Sequence, residues 1–523
     1  MNNKEMSLDN IAKPDFRRDA LVSEKGKSNK KNKSNKKGEQ KKQYLYVHGS
    51  NIKGYISEPS PEFLKELEES KKSVKSKVLS YATDDSGNID CFTDIYGKYI
   101  KFNYDKKCWM CWNGRVWEKD VNETVVKYAQ HAMKFRRKQT LKRLEKEPVT
   151  NQKELLSHIK SCCNQKCVKA ILEGAKVRLG CRDFIFDTHP RLLNVLNGTI
   201  DLKTGVLHKH DRKNYITKFI PIMYSDTARS VIFEKFLTET FSDDELIDYT
   251  KRLYGYCATG ETREQVVHFF VGNGANGKST LDSIIQYTLN DYAKVIPAKV
   301  LTDVERVGSA SPEIAQLPGK RLVCCSELNC TDSLNEGKIK IMSSGETLST
   351  RKLYCDAFTF EPEFKCIIDT NYLPKITGTD FGIWRRIRVV PFNHTVSKDK
   401  MNKDLLSQLK KNPSAILNWI VEGAKKYYEE GLDIESCEAV KTATNEYRKS
   451  QDTLGGFIKS CTAECENSSV RARDVYERYL IYCNENLISP ISETKFGKDF
   501  KVRSGYETAK DKKSRKYINI KLK

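Results

Sequence analysis

The sequence has no long hydrophobic run and fewer acidic than basic residues. No stretch approaches the roughly 18 consecutive apolar residues that a membrane-spanning helix needs, and no apolar core of a signal peptide lies at the N-terminus. Internal repeats are also absent. These absences argue against a membrane-spanning or secreted protein. We expect a soluble chain that is made and kept inside a cell.

The deficit of acidic residues points to a polyanionic partner. The chain has 91 Lys+Arg against 69 Asp+Glu, a formal net charge of +22. This excess fits nucleic acid most simply; a solubilising surface, or a genome that favours Lys and Asn codons, is the alternative. Nine lysines and one glutamate fall between Lys25 and Lys42. We therefore expect a disordered Lys-rich tail at 1–43, which is an inert solvated segment, a loose nucleic-acid arm or a nuclear signal.

Seventeen cysteines in a chain expected inside a cell indicate free thiols and not a disulfide framework. Cys108 and Cys111 have the C-x-x-C spacing of half a zinc site. The second half would come from Cys162, Cys163 and Cys167. Large aromatic residues around Cys108 and Cys111 favour the alternative, in which both lie in a packed strand or hairpin.

The most informative segment is a glycine-rich loop between a predicted strand and a predicted helix. It matches G-x-x-x-x-G-K-[ST], the phosphate-binding loop pattern, over Gly272, Asn273, Gly274, Ala275, Asn276, Gly277, Lys278, Ser279 and Thr280. Glycines let several backbone N–H groups point at one phosphate, and the following helix directs its positive end there. Lys278 would reach the β- and γ-phosphates and Ser279 would ligate Mg²⁺. The alternative is a chance match in a surface turn.

Hydrophobic periodicity predicts a multidomain α/β plus α protein. Short apolar strands at 266–271, 321–325, 364–368 and 387–391 alternate with helices, which is typical of an α/β sheet. After the tail, we predict a mixed α/β accessory N-terminal domain at 44–228, a helical collar at 229–262, a P-loop ATPase core at 263–396, a helical lid at 397–450 and a winged-helix-like domain at 451–523. In the last, helices at 453–465, 473–486 and 492–503 precede a strand pair around 509–516.

Three polar positions downstream of the loop suit nucleotide hydrolysis. Glu327 follows the second predicted strand and is a candidate for Mg²⁺ binding and water activation; the alternative is a surface glutamate. Asn371 follows the third and would position the attacking water, or else simply form a turn. Arg385 and Arg386 follow a glycine-containing loop, so one of them would act as an arginine finger for its own or a neighbouring subunit; a plain surface pair is the alternative.

A basic segment between the second and third strands is a candidate nucleic-acid contact. Lys338, Arg351 and Lys352 flank Ser344-Gly345-Glu346, and we predict a basic hairpin that projects into a central channel and grips phosphates. In the alternative, Arg351 is structural and pairs with Glu346 or a nucleotide.

Taken as an ordered set, these motifs resemble superfamily 3 DNA helicases. The set is Gly-Asn-Gly-Ala-Asn-Gly-Lys-Ser-Thr, Cys-Cys-Ser-Glu, Ser-Gly-Glu…Arg-Lys-Leu-Tyr, Asp-Thr-Asn-Tyr-Leu-Pro and Gly-Ile-Trp-Arg-Arg-Ile. It is similar more narrowly to the replicative primase-helicases of poxviruses, giant viruses, phages and plasmids. The resemblance implies an AAA+-like core, a hexameric ring with ATP and Mg²⁺ between subunits, and 3′ to 5′ movement on single-stranded DNA. Lys278, Ser279, Glu327 and Asn371 carry over, with Arg385 or Arg386 as the trans finger and Lys352 on the DNA-contacting hairpin.

Two departures from the family pattern matter. Many members have two consecutive acids where this chain has Ser326-Glu327, so Glu327 is metal ligand, base or both. The resemblance covers roughly residues 75–523, and the chain between the tail and that region is too short for a polymerase core. We therefore expect no priming polymerase in this chain and a separate primase or polymerase as a partner. The leading hypothesis is an ATP-dependent replicative helicase in the host cytoplasm, at a viral replication site or in the nucleus. The rivals are a nucleotide-switched DNA-binding initiator or loader, and a packaging motor, which the motif order disfavours.

Overall fold

The computed structural model describes residues 59–147, 149–302, 311–326, 328, 333–351, 356–376, 381–396, 401–486, 490–510 and 514–523. The predicted tail at 1–43 lies outside the described residues, and so do two predicted site residues, Glu327 and Lys352. None of the described helices has both the length and the apolar content needed to cross a bilayer.

The first part of the described chain is a mixed α/β unit with its own core. Its elements are α1 (Pro61–Lys77), α2 (Asp85–Tyr96), β1 (Ile100–Asn103), β2 (Cys108–Trp112), β3 (Trp117–Lys119), α3 (Thr124–Leu144), α4 (Gln152–Ser161), α5 (Gln165–Leu179) and β4 (Gly180–Cys181). The strands form one sheet in the order β3-β2-β1-β4. Buried side chains from Phe63 to Phe186 pack between this sheet and the helices.

Local sequence signals explain several of these elements. Helix α1 begins with a proline in its first turn, and the Ser60 hydroxyl accepts a hydrogen bond from the Phe63 N–H. Strands β2 and β3 form a hairpin around Asn113-Gly114, with Trp112 on β2 paired with Trp117 on β3. Residues 91–96 belong to helix α2.

The two cysteines at C-x-x-C spacing lie on strand β2, as the hairpin alternative predicted. Cys111 pairs with Ile100 and Cys108 with Asn103 across the β1–β2 ladder. Three residues apart on a strand, their side chains point to opposite faces. Within the described ranges, no group of three or more His, Cys, Asp or Glu side chains is placed to hold a metal ion.

A five-stranded parallel sheet forms the centre of the molecule. Before it come β5 (Leu192–Val195), β6 (Gly198–Asp201), β7 (Leu207–His208), α6 (Val231–Phe241) and α7 (Asp244–Ala258). The sheet region contains β8 (Val267–Val271), α8 (Lys278–Leu289), β9 (Ala293–Pro297), α9 (Lys299–Thr302), β10 (Leu322–Ser326), α10 (Glu336–Ser344), β11 (Leu348–Arg351), β12 (Ala357–Phe360), β13 (Lys365–Thr370), α11 (Phe381–Trp384) and β14 (Ile387–Pro391). The strand order is β14-β8-β13-β10-β9.

All four predicted strands of this sheet are confirmed within two residues, and β9 was not predicted. Both faces are covered, which explains the nearly continuous apolar runs. Phe270 and Ile367 belong to the core on one face, and Phe269 and Ile368 to the core on the other. The first core continues into β5, β6, α6 and α7, so these elements share their packing with the sheet.

The chain ends in a helical segment and a small α+β unit. The elements are α12 (Leu405–Leu409), α13 (Pro413–Glu430), α14 (Glu438–Gln451), α15 (Thr453–Cys461), β15 (Thr462–Arg471), α16 (Ala472–Glu485), α17 (Glu493–Ser504), β16 (Thr508–Lys510) and β17 (Arg515–Leu522). The last three strands form a sheet in the order β15-β17-β16 over a separate core. The predicted helix at 453–465 was too long, because it ends at Cys461 and strand β15 follows directly.

Candidate functional site

The glycine-rich loop joins the end of β8 to the start of α8. Gly274, Ala275 and Gly277 have φ values of 93°, 50° and 85°, in the left-handed region that favours glycine. A Cβ on Gly272 would lie 2.4 Å from the Phe392 carbonyl oxygen, and one on Gly277 would lie 2.7 Å from the Thr240 hydroxyl. The loop therefore needs glycine at 272 and 277 for space and at 277 also for backbone conformation.

The start of helix α8 leaves donors available at the loop. Its N-cap is Gly277, and no side chain makes a capping hydrogen bond there. The first N–H groups of a helix have no partner within the helix and suit an anion. Ser279 and Asn273 are exposed, whereas Asn276 is buried and donates from Nδ2 to the Phe392 carbonyl at 3.3 Å. Asn276 thus holds the loop in shape, while exposed positions face solvent.

Two predicted site residues, Lys278 and Asn371, are in direct contact. Strand β13 is the neighbour of β8, with Thr370 opposite Val271, so Asn371 lies beside the loop. The Lys278 ammonium donates to the Asn371 side-chain oxygen at 3.1 Å and to the Gly272 carbonyl. Lys278 is only 5% exposed, and this burial lowers its pKa, an effect that the nearby Asp369 and Asp282 oppose.

Sequence reasoning missed a pair of buried carboxyl groups behind Lys278. Asp282 on α8 and Asp369 on β13 lie close enough to influence each other's pKa, and the Tyr254 hydroxyl donates to Asp282 at 2.6 Å. Burial raises the pKa of both carboxyl groups, and most strongly that of Asp282. The charge of these acids favours the protonated form of the nearby Lys278, which opposes the effect of burial on its pKa.

Spacing along the chain places each acid on the same face as a predicted site residue, although it does not show that the two acids are buried together. Asp282 is four residues after Lys278 and so shares its helix face. Asp369 is two residues before Asn371, the spacing that places side chains on one face of an extended chain. Asp282 is thus about one helical turn from Lys278, and Asp369 is one two-residue strand repeat from Asn371; both partners were already predicted site residues.

Arg385 and Arg386 lie at the end of the strands that is opposite the loop. They precede β14, where Ile387 pairs with Val267, at the first residue of β8. The length of β8 therefore separates them from the loop, roughly 13 Å at 3.3 Å per residue. Exposed Arg385 donates to the Gln265 side chain at 3.1 Å, and Arg386 donates to the Gly382 carbonyl at 2.7 Å. Neither is brought together with Lys278 and Asn371 in this chain.

A hairpin is present, but it lies further along the chain than predicted, because Gly345 ends helix α10 and forms no hairpin turn. Strands β11 and β12 pair, with exposed Arg351 opposite Ala357 at the end of the ladder next to the connection. Lys338, by contrast, lies half-buried on helix α10, where its backbone N–H donates to the Asn335 side chain at 3.1 Å. A hairpin that includes Lys338 was therefore wrong, because residues 336–344 are helical.

Two buried cations hold in place the end of the strands that is opposite the loop. Lys365 donates to the carbonyls of Thr259, Glu261 and Glu363, the last at 3.0 Å, and burial lowers its pKa to about 7. The Arg321 guanidinium donates to the carbonyls of Leu192, Ala258 and His189 at 2.9–3.0 Å. Each cation satisfies carbonyl groups that strands and helices leave free.

Family models match three separate parts of the chain. Residues 90–242 match a model described as D5 N terminal like. Residues 270–386, which hold the loop and Asn371, match a Family of unknown function (DUF5906). Residues 451–513 match an RFX DNA-binding domain.

Curated relatives come from large DNA viruses. The chain is 29% identical over 316 residues to "Putative helicase L207/L206" of Acanthamoeba polyphaga mimivirus, covering 56% of this chain and 33% of that protein. It is 28% identical over 234 residues to "Putative helicase 121R" of Invertebrate iridescent virus 3, covering 42% and 25%. It is 26% identical over 352 residues to "Putative primase C962R" of African swine fever virus (isolate Tick/Malawi/Lil 20-1/1983), covering 62% and 36%.

The chain thus spans between about a quarter and a little over a third of the length of these relatives. Among solved structures, an apo structure of the NrS-1 C terminal region matches with a TM-score of 0.37 and 14% identity, over 57% of this chain and 79% of that chain. The matches to viral proteins confirm the resemblance drawn from the motifs: the chain is related to the viral D5-type primase-helicases.

Proposed function

We propose that this chain is an ATP-dependent DNA helicase of the superfamily 3 type that acts in viral genome replication. The observation that carries the proposal is the loop at 272–277, with Lys278 buried beneath it and hydrogen-bonded to Asn371 on the neighbouring strand. Strand, loop, helix and the Asn371 amide form an arrangement that would hold a nucleoside triphosphate. The viral relatives, whose printed names include helicase and primase, support replication as the setting.

In the proposed reaction, the loop N–H groups and Lys278 hold the β- and γ-phosphates. Lys278 then exchanges its bonds to the Gly272 carbonyl and Asn371 for bonds to phosphate oxygens, which frees the Asn371 amide to orient the attacking water. Ser279 is exposed at the start of α8 and would hold Mg²⁺ with Glu327. When bound, Mg²⁺ neutralises charge that develops on the transferred phosphoryl group.

Completion of the site by a second copy is part of the proposal. Arg385 and Arg386 are too far from the loop of their own chain, so one of them would serve the loop of a neighbouring copy in a ring. The β11–β12 hairpin with Arg351, together with Lys352 next in the sequence, would contact single-stranded DNA. The C-terminal unit would bind DNA as a winged helix, which the RFX DNA-binding match at 451–513 supports.

A strand-displacement assay tests the proposal. Substrates with a 3′ or a 5′ single-stranded tail are incubated with the chain, with and without ATP and Mg²⁺, and displaced strand is measured. We expect ATP-dependent displacement that Lys278→Ala abolishes, while DNA binding remains. The control Lys375→Ala changes an exposed lysine on the same domain and should leave displacement unchanged.

The outcome also separates the two candidate roles. Unwinding by Lys278→Ala at the wild-type rate would contradict the assignment of the loop. ATP binding that alters assembly or DNA affinity, without turnover or displacement, would instead identify a nucleotide-switched initiator or loader.

A further inference from the structure

Helix α3 in the N-terminal unit has a strongly one-sided charge. Its 21 residues include seven Lys or Arg and no Asp or Glu. By contrast, helix α1 of the same unit carries five lysines interleaved with four glutamates. Unlike α1, helix α3 cannot neutralise its own charge.

The basic residues of α3 divide into an inner and an outer set. Arg136 is fully buried and donates to the Asn88 side chain and to two backbone carbonyls, and Arg143 pairs with Glu147 at 2.9 Å. The outer set is exposed: Lys127, Lys134, Arg137, Lys138 and Lys142. Within the described part of the chain, none of these five is in an ion pair. We call these five residues the α3 basic face.

The spacing of these residues places them on one side of the helix. Positions 127, 134, 138 and 142 recur at intervals of seven and four, which is one stripe at 3.6 residues per turn. Lys134–Lys138 and Lys138–Lys142 are i,i+4 pairs of like charge, which destabilise a helix by themselves. The stripe is about 22 Å long at 1.5 Å per residue, a length matched by roughly six base pairs of duplex.

The opposite side of α3 is anchored in the core and cannot engage a membrane. Val125, Ala129, Ala132, Met133 and Leu144 are buried against the other helices and the sheet. An interfacial membrane helix needs an apolar face for lipid, whereas the exposed side of α3 offers one large apolar residue, Leu141 at 40% exposure. The α3 basic face is instead a row of positive charges on a helix anchored in the core, which suits a polymer with regularly spaced negative charges.

We propose that the α3 basic face is a nucleic-acid contact that binds the phosphate backbone, separate from the hairpin at β11–β12. It would hold DNA while the ATPase segment moves along it. The inference rests on the proposed function for the identity of the bound polymer, DNA. The contact itself needs neither nucleotide nor ATP turnover.

The test compares two triple variants of the full chain by fluorescence anisotropy on labelled single-stranded and duplex DNA, without nucleotide, over a range of salt concentrations. The test variant is Lys127→Gln/Lys134→Gln/Lys138→Gln. The matched control is Lys65→Gln/Lys72→Gln/Lys75→Gln, which removes three exposed lysines from helix α1. A further variant, Lys127→Arg/Lys134→Arg/Lys138→Arg, keeps the charge.

We expect the test variant to bind at least one of the two DNA forms ten-fold or more weakly at low salt. Its plot of log affinity against log salt should be shallower by about 2.7 for duplex or about 2.1 for single-stranded DNA, since each lost phosphate contact removes about 0.9 or about 0.7. The α1 control and the arginine variant should match the wild type. The DNA form, single-stranded or duplex, to which the test variant binds more weakly is the form that the α3 basic face contacts.

An unchanged salt slope, or an equal loss in the α1 control, would overturn the inference. So would lysine-dependent binding to phosphatidylserine vesicles without lysine-dependent binding to DNA. DNA-independent ATP turnover is measured in parallel. If turnover or displacement is absent from the wild type while the slope difference persists, the proposed helicase function fails and the α3 contact stands.

Discussion

At the scale of single residues, the contact between Lys278 and Asn371 was predictable and the acid pair behind it was not. The loop and the end of strand β13 each have a strong local signal, and parallel strands bring their carboxyl ends together. Asp282 and Asp369 were missed because acids inside a helix and a strand are usually solvated. Their environment is decided by Tyr254 and by tertiary packing, which no local pattern records.

Replacing Asp369 tests whether the pair supports the charge of Lys278. Asp369→Asn keeps the size of the side chain but removes the negative charge that opposes the effect of burial on Lys278. We expect the pKa of Lys278 to fall further and ATP turnover to drop about tenfold, equivalent to about 1.4 kcal/mol. The measurement is kcat/KM against pH, where the alkaline limb should move to lower pH.

The matched control for that variant is Asp404→Asn, at an exposed position whose side chain makes no capping hydrogen bond. It should leave the pH profile in place. A uniform loss of activity in Asp369→Asn at every pH would mean that the pair serves only to hold the structure.

Another residue-scale prediction concerns stability in acid. His268 on β8 is fully buried, accepts from or donates to the Tyr249 hydroxyl at 3.1 Å, and has its pKa lowered to about 3 by burial. The unfolded chain binds a proton below about pH 6.5 and the folded chain does not until about pH 3. Stability is therefore lost as pH falls across this window, by about 1.4 kcal/mol per pH unit from this group.

Unfolding by denaturant, measured between pH 4 and pH 7.5, checks this. His268→Gln keeps a partner for Tyr249 and should flatten the pH dependence. His394→Gln, at an exposed position, should retain the wild-type slope. Equal slopes in all three proteins would assign the acid sensitivity to other groups.

At the scale of elements, the geometry of the loop predicts different costs for two glycines. Gly274 and Gly277 both have positive φ, but an added Cβ meets nothing within 4 Å at Gly274 and meets the Thr240 hydroxyl at 2.7 Å at Gly277. We expect Gly274→Ala to cost about 1–2 kcal/mol of backbone strain and Gly277→Ala to cost more and to weaken nucleotide binding strongly.

Affinity for a fluorescent ATP analogue measures the difference. Thr240→Ala removes the obstructing atoms, so Gly277→Ala/Thr240→Ala should recover part of the affinity lost by Gly277→Ala. If the second change brings no recovery, backbone conformation and not space is what requires glycine at 277.

Elements were predictable where hydrophobic periodicity was strong, and less so where pairing partners are distant in sequence. The sheet strands at 267–271 and 387–391 were clear from their apolar runs. Strand β15 was missed because its polar residues at Asn467 and Ser468 carry no apolar alternation. It exists because it pairs with β17, some 50 residues later.

At the scale of the whole molecule, the position of the arginines predicts dependence on a second copy. Arg386→Ala should bind ATP but not hydrolyse it, and Lys278→Ala should not hydrolyse it either. In a mixture, a loop from one variant meets an intact arginine from the other, so we expect turnover to be restored in part.

Phosphate release from mixtures at several ratios measures this complementation, with each variant alone as the control. Turnover that stays absent at every ratio would remove the support for a shared site. Arg385→Ala in place of Arg386→Ala decides which of the two guanidinium groups takes part.

The larger architecture was predictable in its order, but not in how its parts pack. The sequence placed the sheet between helical segments, yet it did not show that β5 and β6 share a core with the sheet and with α6 and α7. Such sharing brings residues more than 200 positions apart, such as Leu193 and Ile416, into one core, and no local window of sequence shows it.

Because of Lys365 and Arg321, the two ends of the strands in the sheet differ in how they are held. At one end, both side chains donate to backbone carbonyls, including those of Leu192 and Ala258, and so hold the strands against neighbouring segments of the chain. At the other end, the hydrogen bond from Lys278 to Asn371 is one that a phosphate would displace. Phosphate binding would therefore rearrange contacts at one end of the strands and leave the carbonyl bonds at the other end in place.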